Sequence, residues 1–235
     1  MFQFTQSMYP LAGESVVDLA RFPVCQGVLD VVYNPRRTAL LLQAEARDLP
    51  CSDGLPMLVF QATAAEEYFF GRKIDPAKNQ RILSLLRREM ENIVLIGMPG
   101  CGKSTVGTAL AALTGREAVD LDEEIVKVAG KSIPAIFAQD GEPAFRALES
   151  KLAEQFGRES KKILICGGGI VKDPRNYDFL HQNGRIYQLS RSLEKLPTDG
   201  RPLSQGADLA AMVRGSGRGL IGLARERSAQ RDFSL

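Results

Sequence analysis

The sequence predicts an α/β protein with a parallel sheet flanked by helices. Short apolar runs alternate with amphipathic stretches along most of the chain, the order that parallel strands and their crossover helices require. One of these runs, residues 93–97, feeds directly into a glycine-rich loop. At 235 residues and 44% apolar content, the chain can bury the core of one or two domains.

The elements follow in chain order. Residues 28–33 read as a strand, 38–47 and 61–70 as helices, and 81–90 as an amphipathic helix. A domain boundary is placed at residues 88–91, separating a first α/β segment (1–88) from a second (92–235). Beyond it, 93–97 is a buried strand and a helix opens at Lys103. Residues 119–121 read as a strand and 122–129, 132–139 and 143–158 as helices. Strand 162–166, helix 174–182 and strand 185–189 complete the alternation.

Composition excludes several classes. The 30 basic and 28 acidic residues leave a net charge of +2, so no nucleic-acid or membrane-surface binding is expected. No apolar run reaches the ~18 residues of a spanning helix, and no basic stretch precedes an apolar one at the N-terminus. Cys25, Cys51, Cys101 and Cys166 are scattered without a C-x-x-C pair. That argues against zinc or redox chemistry and for reduced thiols in the cytoplasm. His181, the single histidine, falls at a predicted helix end, where a partial positive charge is favoured.

Gly97-Met-Pro-Gly-Cys-Gly-Lys-Ser104 fits the phosphate-loop pattern G-x-x-x-x-G-K-[ST]. Its glycines let the backbone curl so that N–H groups face phosphate oxygens, and the following helix adds its dipole. Lys103 is placed to reach the β- and γ-phosphates and Ser104 to ligate magnesium. Cys101 reads as a small loop residue.

Four further groups bear on a phosphoryl acceptor. Asp120-Leu-Asp122 ends a predicted strand, whose alternation turns both carboxylates to one side, one toward a metal and one toward a hydroxyl. The competing reading is a helix N-cap followed by an acidic first turn. Arg146 and Glu149 share a helix face. They form either a clamp for an acceptor carboxylate or a surface ion pair. Gly167-Gly-Gly169 follows a buried strand and allows a ligand close to the backbone, or is a flexible turn. Arg201 lies in a loop after the last clear strand, either a mobile arginine over the phosphoryl group or an ordinary surface residue.

In order, these features resemble shikimate kinase, a P-loop kinase family. The motifs are the phosphate loop through Thr105, Asp120-Leu-Asp122, Ile133-Pro-Ala-Ile-Phe137, Gly141-Glu-Pro-Ala-Phe-Arg-Ala-Leu-Glu149, Gly167-Gly-Gly169 and Arg201-Pro-Leu-Ser204. The resemblance covers residues 92–212 and implies ATP-dependent phosphorylation of the 3-hydroxyl of shikimate by a monomeric kinase. It implies that Gly100, Cys101, Gly102, Lys103, Ser104 and Thr105 cradle ATP, that Ser104 and Asp120 serve Mg2+, and that Asp122 holds the acceptor hydroxyl as base. Arg146, Gly168 and Gly169 would bind shikimate, Glu149 would orient Arg146, and Arg201 would be the lid arginine on ATP.

Residues 1–88 resemble the last part of shikimate dehydrogenase, a remnant of a Rossmann-type domain. The resemblance rests on Val28-Leu-Asp-Val-Val-Tyr-Asn-Pro35 with Thr38, and Gly54-Leu-Pro-Met-Leu-Val59 with Gln61. It implies shikimate contacts at Tyr33 and Gln61 and an NADP approach at Gly54. The family's catalytic lysine and aspartate and a G-x-G-x-x-G turn are missing, so Met1 is expected to begin mid-domain and no dehydrogenase activity is expected. The tail departs from the kinase pattern after residue 213. Arg214-Gly-Ser-Gly-Arg-Gly219 is poor helix material, and no E-R-x-P-x-Y stretch follows, as if the reading frame had changed there. Arg214 and Arg218 lie near the expected second shikimate arginine without its context. A kinase for another small hydroxy acid, or a weak or inactive fragment that binds ATP or shikimate, are the competing readings.

Overall fold

A computed structural model describes Ser15 and residues 17–190 of the chain. It divides into two compact units, whose main segments meet in sequence after Glu91.

The first unit opens with a 3-10 turn, Leu19–Arg21, capped by Asp18. Strand β1 (Val28–Leu29) precedes helix α1 (Ala39–Glu45), strand β2 (Cys51–Ser52) and helices α2 (Leu55–Phe70) and α3 (Pro76–Met90). β1 and β2 pair in parallel, Val28 opposite Cys51. The strand expected over 28–33 ends at Leu29. Asp30 is the reason: its buried carboxylate accepts the backbone N–H of Val32 at 3.0 Å and the hydroxyl of Thr38 at 2.6 Å. That local bond competes with a continuing ladder. Thr38 in turn caps α1 by accepting from Leu41 N. Helix α2 begins six residues before the expected start, with Asp53 accepting from Leu55 N. Helix α3 begins five residues early, where Asp75 and Pro76 form a standard start. Leu55, Val59 and Leu83 form the seam between these two helices. Gly54 packs onto the Val31 backbone, leaving no room there for a Cβ.

Among the described residues, the second unit is built on a four-stranded parallel sheet in the order β4-β5-β3-β6. The chain runs β3 (Asn92–Gly97), α4 (Lys103–Thr114), β4 (Glu117–Asp120), α5 (Leu121–Ala129), α6 (Ile133–Gln139), α7 (Gly141–Gly157), β5 (Lys162–Ile165), a 3-10 turn (Ile170–Lys172), α8 (Arg175–His181) and β6 (Gly184–Leu189). Strand pleat divides the core. Val94, Ile96 and Leu164 face Ile125, Ile136, Phe145, Leu152 and Leu180 of helices α5 to α8. Leu95, Ile163 and Ile165 face Leu110 and Ala111 of α4. Gly107 lets α4 lie close to the sheet, since a Cβ there would meet Ile165 Cγ1 at 2.7 Å. Buried Asn92 ties the starting end of the sheet: its N–H donates to Asn183 O, its Oδ1 accepts from Lys162 N, and its Nδ2 donates to Phe156 O. All strands point the same way, so the β3 and β5 loops emerge at one edge, where ligands of open parallel sheets bind.

The strand expected over 119–121 is shifted to Glu117–Asp120, and Leu121 opens α5.

Candidate functional site

The loop after β3 turns through Gly97, Gly100 and Gly102, with φ of 148°, 81° and 98°, the region that glycine enters without strain. Gly102 is the N-cap of α4 and offers no side-chain cap. The first-turn N–H groups at Lys103, Ser104 and Thr105 therefore form an anion-binding helix end. Lys103, almost buried, folds back over the loop and donates its Nζ to Gly97 O at 2.8 Å and Met98 O at 3.0 Å. Cys101 is a half-buried free thiol within this loop.

Ser104 Oγ, on the first turn of α4, lies 3.2 Å from Asp120 Oδ2. The other Asp120 oxygen accepts the Asp122 N–H at 3.0 Å. The alternation expected to align Asp120 and Asp122 is therefore not what joins them. Asp120 is the N-cap of α5 and Asp122 sits in an acidic first turn with Glu123 and Glu124, which a helix N-terminus favours.

On α7, Arg146 NH1 donates to Glu149 Oε2 at 2.7 Å, while Nε and NH2 reach Glu142 Oε1 at 3.2 and 3.0 Å. The guanidinium lies over the Phe145 ring at 5.0 Å. Glu149 is 1% exposed, and its Oε1 has no hydrogen-bond partner among the described residues. Burial pushes its carboxyl above the usual glutamate range, against the pull of Arg146.

The three glycines after β5 are boxed in. A Cβ on Gly167 would fall 2.7 Å from Asp122 Oδ1 and 3.0 Å from Glu149 Oε1, and one on Gly168 would fall 2.6 Å from the Pro99 ring. One on Gly169 would strike the Arg146 guanidinium. The run is thus wedged between the phosphate loop, two carboxylates and an arginine.

Of the residues singled out from sequence, Gly100 to Thr105, Asp120, Asp122, Arg146, Gly168 and Gly169 gather at this end of the sheet. Arg201, Arg214 and Arg218 lie outside the described residues. Sequence reasoning missed Glu142 and Lys172 as members of the site. Lys172 Nζ donates to Glu142 Oε1 at 2.8 Å. Glu142 was within reach, four residues before Arg146 on one helix; Lys172 carries no local sign. His181 ends α8, stacked on Tyr177 at 4.9 Å.

A family model for shikimate kinase matches residues 99–216, half of the chain. The chain belongs to the shikimate kinase family. It is 41% identical over 128 residues to the shikimate kinase of Chlorobaculum tepidum, covering 52% of this chain and 66% of that one. With that of Synechococcus sp. (strain RCC307) it shares 41% over 135 residues, 55% of this chain and 69% of the other. The chain thus spans about two thirds of the length of these relatives. Among solved structures, shikimate kinase from Acinetobacter baumannii in complex with shikimate aligns with a TM-score of 0.52 and 34% identity. That alignment covers 59% of this chain and 80% of the other. Shikimate kinase from Aquifex aeolicus aligns at 0.50 and 27%, covering 56% and 82%. The second unit therefore has the α/β P-loop kinase fold of the shikimate kinase family, with a parallel sheet flanked by helices. Among the described residues, no helix is long and apolar enough to cross a membrane.

Proposed function

We propose that the chain transfers the γ-phosphoryl group of ATP to the 3-hydroxyl of shikimate, giving shikimate 3-phosphate and ADP. The observation that carries this reading is the wedged glycine run. Pro99 of the phosphate loop touches Gly168, and Arg146 touches Gly169, so donor and acceptor groups converge on three residues. The shikimate complex of the Acinetobacter baumannii relative supports the same acceptor.

In this reading the phosphates displace the two backbone carbonyls from Lys103, whose charge then follows the transferring group. The uncapped N–H groups at the start of α4 hold the other phosphate oxygens. Ser104 and Asp120 present a hydroxyl and a carboxylate oxygen 3.2 Å apart, a hard-oxygen pair suited to Mg2+ beside ATP phosphates. The ion, when bound, neutralises charge on the phosphoryl oxygens. Asp122 orients the acceptor hydroxyl and takes its proton as the oxygen attacks phosphorus. Arg146, fixed by Glu149, grips the acceptor carboxylate, and the backbone of Gly168 and Gly169 lies against the ring. Arg201 is assigned to the ATP lid by family pattern alone. The kinase is proposed to act as a cytoplasmic monomer, and the first unit to be a segment of a dehydrogenase-like domain.

A coupled ADP-release assay with shikimate tests the reading. Lys103→Met is expected to lower turnover by about 100- to 1000-fold while leaving the melting temperature unchanged. Shikimate-independent ADP release, or a variant within tenfold of the parent, sinks it. Binding of ATP and shikimate without turnover would favour the fragment reading, which the tail after residue 213 motivates.

A further inference from the structure

Arg146 is engaged on both sides, and the two engagements differ. Glu149 is buried and takes NH1; Glu142 is 44% exposed at its side chain and takes Nε and NH2 with a single oxygen. The Nε–NH2 edge is one of the two forks through which a guanidinium grips a carboxylate in bidentate fashion. One edge open to an acceptor carboxylate is therefore filled by the protein's own carboxylate. That same Glu142 oxygen also accepts from Lys172, whose side chain is 48% exposed. Glu142 and Lys172 can move without unburying charge, whereas Glu149 cannot.

We propose that Glu142 is a built-in competitor for the acceptor carboxylate on Arg146, and that Lys172 holds Glu142 when the acceptor displaces it. The inference rests on the acceptor reading of Arg146 given above. Without Lys172, an incoming carboxylate would leave three carboxylates, Glu142, Glu149 and its own, around one guanidinium. With it, Glu142 keeps a cation of its own, and Arg146 is left to Glu149 and the arriving anion. The depressed titration of Glu142, caused first by Lys172 and then by Arg146, is consistent with that shared attachment. Lys172 is thus a positioning residue acting through Glu142, and the pair discriminates against acceptors too weakly charged to win the exchange.

Titration calorimetry with shikimate on the parent, Glu142→Gln, Lys172→Met and the double variant tests this as a double-mutant cycle. Glu142→Gln should bind about two- to fivefold tighter, the span of an exposed ion pair, and Lys172→Met weaker by a similar factor. The double variant should match Glu142→Gln, because the lysine then has nothing to hold. Glu142→Asp, one methylene shorter, should lie between parent and Glu142→Gln. ATP affinity should stay at the parent's value throughout. Equal shikimate affinity in parent and Glu142→Gln overturns the proposal, as does a Lys172→Met effect that persists without Glu142. A parent that binds ATP but no shikimate overturns the acceptor reading and this inference with it. A parent that binds shikimate with unchanged variants overturns the inference alone.

Discussion

Arg146 shows how much chemistry one side chain concentrates at this site. Its guanidinium meets two carboxylates, an aromatic ring and a glycine that has given up its Cβ. Arg146→Ala is expected to weaken shikimate binding by about 2–4 kcal/mol, as for charge-assisted bonds in a cleft, with ATP binding nearly unchanged. Calorimetry with each ligand reads this, and equal loss for both would mean misfolding. Glu149 makes a second prediction. Its carboxyl is raised by burial, so the folded chain binds that proton more tightly than the unfolded one. Stability from this group is present below the ordinary glutamate value of about 4.3 and is lost as pH rises through the higher folded value. Glu149→Gln removes that loss. Urea melts between about pH 4 and 8 should show the stability of the parent, relative to the variant, falling as pH rises. A difference that grows with pH would mean that Arg146 outweighs burial.

At the scale of elements, what the sequence made legible was local. The phosphate loop is a fixed spacing of glycines before a helix, and the Arg146–Glu149 pair is an i,i+3 contact. Both need only neighbours along the chain. The two-residue strand Cys51–Ser52 is too short to leave a period. The strand over 28–33 was misread because the Asp30 side chain ends the pairing. For Asp120 and Asp122 the sequence left two readings open, and the helix cap is the one found, because the strand ends one residue earlier than expected. Contacts such as Gly168 with Pro99 and Lys172 with Glu142 join distant stretches and have no local trace. Helix α4 supplies a test of packing. Gly107 faces Ile165, and Gly107→Val should cost about 1–3 kcal/mol by overpacking. That exceeds the at most ~1 kcal/mol returned by removing glycine from a helix interior. Chemical denaturation reads it, and a stabilised variant would show that Ile165 yields.

For the whole molecule, the expectation is one chemistry. This 235-residue chain should drive no NADPH oxidation with 3-dehydroshikimate, because no G-x-G-x-x-G turn precedes residue 97; a substrate-dependent rate above the buffer control would overturn that expectation. The second unit has a division of its own. The phosphate loop occupies residues 97–104 after β3, whereas Asp122, Glu142, Arg146, Glu149, the glycine run and Lys172 all fall between Gly115 and Asp173. That stretch contains the neighbouring strands β4 and β5, which form one half of the sheet, while β3 and β6 form the other. On the proposed reading, the acceptor groups and the metal-side Asp120 share one uninterrupted stretch, while the phosphate loop and the start of α4 lie before it. A lineage could exchange that stretch in one recombination between homologues and acquire a new acceptor, provided that Asp120 came with it unchanged.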